Sequence, residues 1–168
     1  MNTATTIVAT LLLTTATVLA ATPARAADSK IYPGEMCNPS VDDSQVAHFW
    51  GRLKNNSGVT RNFECPVVRD QIDEPITVSD AWVINQNPNQ NLSCTIGMLL
   101  PLSGGTNGAS GYFSTRSTAV VGSSPQLLPP FGGLGHLVGG YAVMICSVPG
   151  LFGGQQSGVV SYHINEAS

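Results

Sequence analysis

The chain has 168 residues, 10% of them charged and 42% hydrophobic, with a formal net charge of −3. Mild acidity without a basic run excludes nucleic acid and anionic membrane surfaces as partners. Abundant Val, Leu and Ile at strand spacing excludes a disordered chain.

The first element is a leader. Residues 7–21, IVATLLLTTATVLAA, are apolar and threonine-rich, and Ala24-Arg25-Ala26 forms a small-x-small cleavage signal. Residues 1–26 are therefore expected to be a signal peptide, followed by one domain over 27–168. A membrane anchor would need about 18 or more apolar residues, and this run is shorter. Removing these 26 residues, Arg25 among them, leaves 142 residues with a net charge of −4. A chain of that size buries roughly 68% of its unfolded surface and needs no metal to fold. The expected location is secreted, extracellular or periplasmic, with no stable membrane insertion of the processed chain.

Beyond the leader, apolar and polar residues alternate in short runs, the period-of-two signature of strands. The runs fall at 46–54, 59–67, 76–84, 92–100, 111–121, 137–148 and 160–164. Leu92-Ser-Cys94-Thr-Ile96-Gly-Met98 is the clearest of them. Asn55-Asn56-Ser57-Gly58 has hairpin-turn chemistry and is expected to join the first two strands. Asn85–Asn91 and Gly104–Gly108 read as polar turns, and Gly122–Gly135 as the longest irregular stretch, where Pro125, Pro129 and Pro130 exclude a helix. Phe131–Gly150 is nearly uncharged, but its glycines and strand period suit a buried strand, and a single open strand cannot cross lipid. The expected fold is all-β, one antiparallel β-sandwich of about seven strands.

Cys37, Cys65, Cys94 and Cys146 are an even set in an exported chain, so disulfides are expected. No pair has the two-to-four-residue spacing of a structural zinc site, and no Cys-x-x-Cys is present. Four cysteines allow three connectivities. An antiparallel return would bring Cys37, in the lead-in to the first strand, to Cys65 near the end of the second. That favours Cys37–Cys65 and leaves Cys94–Cys146. Pro66 removes a ladder donor, which places its strand at an edge or bulge near that point.

With these landmarks the chain resembles a group of small secreted bacterial β-sandwich proteins of unknown function with two disulfides. The resemblance rests on YPGEMC (32–37), CPVVRD (65–70), Cys94-Thr95, YAVMICSVP (141–149) and SYHINE (161–166). It spans nearly the whole processed chain and implies the fold, and it carries no catalytic residue over. Asn85 stands where an acidic residue would be expected in that pattern.

Chemistry is sparse. Gly-x-Ser-x-Gly is absent, so no nucleophile elbow is present. His48, His136 and His163 are candidate bases, each more simply read as a surface or half-buried strand residue. Glu35, Glu64, Glu74 and Glu166 include no marked glycosidase pair. Asp70, Asp73, Glu74 and Asp80 are the one acidic cluster. Weak calcium binding would suit it, but a solvated loop with Asp70 paired to Arg69 or Arg52 is the simpler reading. The Gly133-x-Gly135 pattern lacks the strand-then-helix context of a nucleotide loop. No catalytic residue, metal site or cofactor is expected.

Trp50 and Trp82 are the possible ligand platforms. Trp50 alternates with His48 and Arg52, which suggests an exposed ring. Trp82, in Ala-Trp-Val-Ile, is expected to be buried. Between Asp80 and Glu166 the single formally charged residue is Arg116, so that half of the surface must be uncharged and polar. The leading reading is a non-catalytic extracellular module binding a glycan, surface polymer or protein, with Trp50 as its platform. The alternatives are a structural secreted domain without a ligand and a small extracellular hydrolase. Oligomeric state is left open.

Overall fold

The computed structural model describes residues 28–40, 43–70, 73–100, 113–118 and 120–167. The leader and the Gly104–Gly108 turn lie outside the described residues. Eleven strands appear among those described: β1 (Ser29–Pro33), β2 (Asn38–Pro39), β3 (Val46–Phe49), β4 (Arg52–Asn55), β5 (Arg61–Pro66), β6 (Ile76–Ile84), β7 (Ser93–Leu99), β8 (Phe113–Ser117), β9 (Gln126–Leu127), β10 (Tyr141–Val148) and β11 (Gly158–Glu166). Helix is limited there to two 3₁₀ turns, Gly34–Met36 and Asp43–Gln45.

Two antiparallel sheets pack face to face. One runs β3-β4-β11-β6-β9, with β1 also paired to β11; the other runs β2-β5-β10-β7-β8. The inward side chains alternate as a half-buried strand requires. Leu53, Ala81, Val83, Tyr162 and Ile164 from the first sheet meet Phe63, Ile96, Met98, Met144 and Val148 from the second. Each fully buried apolar side chain of this size contributes about 1.5–3 kcal/mol. Tyr32 stacks on Tyr162 with ring centroids 5.0 Å apart. Their hydroxyls donate to the carbonyls of Val68 and Pro66, which satisfies both phenols. Gly34 presses against β11 so closely that a Cβ would lie 2.1 Å from the Val159 carbonyl oxygen.

Both disulfides form as Cys37–Cys65 and Cys94–Cys146. The route to the first differs from expectation. The 46–54 run is not one strand but a hairpin, β3 and β4, turned at Trp50 and Gly51. Residues 55–60 are consequently no hairpin loop: β4 belongs to one sheet and β5 to the other, so the segment crosses between sheets. Cys37 reaches Cys65 because β2 pairs antiparallel with β5, Asn38 opposite Glu64. Cys94 and Cys146 are direct partners on neighbouring strands β7 and β10 of one sheet. Pro66 ends β5 beyond the last pairing of β2, where β10 alone borders the strand.

The 122–135 stretch is more ordered than its prolines suggest. It contributes β9, and beyond it the amides of Leu128, Phe131 and Leu134 donate to the Ala81, Ser79 and Ile76 carbonyls of β6. Prolines at 125, 129 and 130 interrupt a regular ladder but leave these three donors free to bond.

Candidate binding face

The outward face of the six-stranded sheet is unusual for a solvated antiparallel sheet, which ordinarily presents polar residues. Register builds it in rows. Pro33, Ser161, Trp82 and Leu127 align across β1, β11, β6 and β9; Ile31, His163 and Asp80 align beside them; Ser29, Asn165 and Val78 form the next row. Ile31 is 75% exposed, Leu127 45% and Trp82 42%, so a strip with open apolar side chains from β1, β6 and β9 runs across four strands, with Ser161 and His163 of β11 between them. Three strand spacings of about 4.8 Å make it roughly 14 Å long.

Trp82 is therefore not buried. Ala81 and Val83, its neighbours on β6, point into the core, and the pleat sends Trp82 outward. An apolar residue on each side of Trp82 resembles a fully buried strand in sequence, whereas here one face is core and the other is an apolar surface.

Polar groups are embedded in the strip. His163 Nδ1 lies 3.1 Å from Asp80 Oδ2, and its Nε2 lies 2.7 Å from Ser29 Oγ. An ionised carboxylate only accepts, so the Nδ1 proton points at Asp80. In the neutral imidazole Nε2 then carries the lone pair, and the Ser29 hydroxyl donates to it. Ile31, Asp80, Trp82, Ser161 and His163 line a shallow hollow of about 200 Å³. On the far side of Trp82, Leu127 also borders a larger groove of about 450 Å³, with Val120, Pro125, Leu128 and Pro129 among its walls.

The other sequence candidates lie elsewhere. Trp50 projects from the β3–β4 turn, 86% exposed, with the Phe49 ring edge-on at 6.0 Å and Lys54 Nζ 5.3 Å above Phe49. Its exposure comes from the turn, not from a polar strand face. His48 is exposed on β3, and His136 faces Asp73 at 3.8 Å.

The acidic cluster is dispersed among separate partners. Asp70 pairs with Lys30 at 3.1 Å, not with Arg69 or Arg52, and Asp80 is taken by His163. Arg69 turns instead to Glu166, a fully buried carboxylate. Glu166 accepts from Arg69 Nε at 2.9 Å, Lys30 Nζ at 3.2 Å and the Asp70 amide at 3.2 Å. Burial opposes its ionisation, yet these donors together hold it below the usual carboxylate range. Among the described residues no three His, Cys, Asp or Glu side chains converge as a metal site would require.

Sequence reasoning missed Ser29, Ile31 and Leu127, and set aside His163 and Asp80. The available signal was the outward alternation Val78-x-Asp80-x-Trp82 and Ser161-x-His163-x-Asn165; what joins the two runs is register, which periodicity does not supply.

No family model and no curated protein matches the chain. Among solved structures it is similar to a low-affinity xylan-binding module, CBM86, of the gut symbiont Roseburia intestinalis. The two are 12% identical, with 83% of this chain and 96% of that chain covered and a TM-score of 0.44. No helix among the described residues is long and apolar enough to cross a membrane.

Proposed function

We propose that this is a secreted module that binds an extracellular glycan on the outward face of its six-stranded sheet, with Trp82 as the stacking platform. The observation that carries the reading is the half-exposed Trp82 ring in an open apolar strip beside hydrogen-bonding Ser29, His163, Asp80 and Ser161. Sugars present an apolar C–H face and a hydroxyl rim, and this strip offers a matching ring and matching polar groups. The uncharged polar surface between Asp80 and Glu166 fits a neutral ligand. Two disulfides and the apolar leader support function outside the cytoplasm. Trp50, the platform expected from sequence, serves in this reading as a second, separate contact.

The test is retardation of the protein in native gels containing soluble polysaccharides, followed by calorimetry with the best of them. Trp82→Ala should weaken binding at least tenfold, about 1.4 kcal/mol or more, as truncation of a central aromatic anchor does. Trp50→Ala should weaken it less. Binding that survives Trp82→Ala and is lost in Trp50→Ala would overturn this assignment.

A further inference from the structure

We infer that Ser29 is a nucleophile activated by His163 and Asp80, and that the face carries acyl-ester hydrolysis as well as binding. Only the carrier of the ester, a glycan, rests on the reading above. The three side chains come from three strands, β1, β11 and β6, and form one continuous relay: Ser29 Oγ to His163 Nε2 at 2.7 Å, His163 Nδ1 to Asp80 Oδ2 at 3.1 Å. That order gives each group the role a serine hydrolase needs. Asp80 fixes the tautomer, Nε2 is the acceptor, and the hydroxyl proton already points at its base.

The surroundings fit the same chemistry. His163 also lines the hollow of about 200 Å³ whose apolar walls are Ile31 and Trp82. Ser29 lies one row along the sheet from it and is not among its lining residues, so the hollow would seat the part of the substrate beyond His163 rather than the reacting acyl carbon. Ser29 is on an edge strand paired only with β11. The Glu166 amide donates to the Asp28 carbonyl, so the alternation of the antiparallel ladder turns the Ser29 amide away from β11. Its N–H is thus left as a donor for an oxyanion forming at Ser29.

In the reaction, Ser29 Oγ bonds to the acyl carbon while its proton passes to His163 Nε2. The bond from the acyl carbon to the sugar oxygen then breaks, and the sugar hydroxyl leaves with that proton. Water, deprotonated by His163, attacks the acyl-Ser29 ester, releasing the carboxylic acid and restoring the hydroxyl. No oxidant, metal or cofactor enters the balance. Asp80 is a positioning residue, since it acts through His163.

A fluorophosphonate, which phosphonylates activated serines, tests this on the intact secreted protein without any glycan. Peptide mass mapping should find the label on Ser29, and p-nitrophenyl acetate should be hydrolysed above the buffer rate. Ser29→Ala should abolish both. Asp80→Asn presents an amide to Nδ1 and reverses the tautomer, so labelling should fall by roughly 10²–10⁴-fold with an unchanged melting temperature. No label on Ser29, or hydrolysis indifferent to Ser29→Ala and Asp80→Asn in folded protein, would overturn the inference. A protein that binds polysaccharide but leaves Ser29 unlabelled sinks the hydrolase alone; one that labels but binds no polysaccharide sinks the glycan reading alone.

Discussion

The two tryptophans of this protein are both exposed, and they are mounted in opposite ways. Trp82 sits within the nine-residue strand β6, bordered by β11 on one side and β9 on the other. Trp50 stands at the apex of a two-residue turn in the outermost strand pair of its sheet. The backbone around Trp82 is fixed by neighbours, so its ring can be presented to a ligand with little ordering cost. At Trp50 φ is 51°, a left-handed conformation that a bulky residue rarely adopts. A platform is best built on a rigid sheet, whereas a strained aromatic tip suits contact with something that comes to it.

The largest expected effect lies at the corner that holds one end of this frame. β1 pairs with residues 161–165 of β11, and β4 pairs with Gly158 and Val159 at the other end. Glu166 locks the β1 end through Lys30 and Arg69. Glu166→Gln removes the buried carboxylate that Arg69 and Lys30 share, with Lys30 keeping Asp28 and Asp70, and should cost up to about 3–5 kcal/mol in urea denaturation. Hydrogen exchange should rise along β1 and the adjoining part of β11 before it rises in the β3–β4 hairpin. Equal loosening at both ends would show that Glu166 does not hold the β1 end in particular.

Acid acts on the same corner. The folded pKa of Glu166 lies below its unfolded value, as does that of Asp70, which Lys30 lowers. Their contribution is complete above the unfolded carboxylate range of about 4 and is lost as pH falls through the folded values. The urea midpoint should drop as pH is lowered below about 4, and Glu166→Gln should blunt that drop.

Fluorescence separates the rings directly, because Trp50 and Trp82 are the two tryptophans of the chain. In Trp50→Phe protein the remaining emission comes from Trp82, and a bound polysaccharide should shift it to the blue and protect it from acrylamide quenching. In Trp82→Phe protein the emission of Trp50 should be the more readily quenched and should respond less to the ligand. A larger response from Trp50 would move the platform to the hairpin.

How much of this was legible in the sequence follows from what periodicity encodes. Alternation found β6, β7 and β10, where one face is core and each strand is long. It missed β2 and β9, which have two residues each, and β1, whose Ser-Lys-Ile-Tyr-Pro sequence does not alternate. It fused β3 and β4, because the turn between them is Trp-Gly rather than the Asn-Gly or Asp-Gly that announces such a turn. The disulfides were legible as an even count of widely spaced cysteines, while their geometry required pairings between strands distant in sequence. The candidate site was the least legible part. Ser29, Asp80 and His163 are separated by 51 and 83 residues, and only the β1-β11-β6 order, which sets them in adjoining rows, brings them into contact.

The smallest effect sharpens the comparison most. Two-residue hairpins in which both central residues have positive φ favour Asn at the first position and Gly at the second. Gly51, with φ of 77°, already satisfies the second. Trp50→Asn should therefore relieve strain and raise stability by up to about 1 kcal/mol, read as a higher urea midpoint at unchanged slope. The same substitution at Trp82, on a regular strand, removes a β-favoured aromatic and should lower stability. If Trp50→Asn destabilises instead, then the edge-on contact with Phe49 outweighs the backbone cost and Trp50 is held for the hairpin's own sake. If it stabilises as expected, the ring stands in a conformation that folding does not require, and its presence at the tip is to be explained by what it touches.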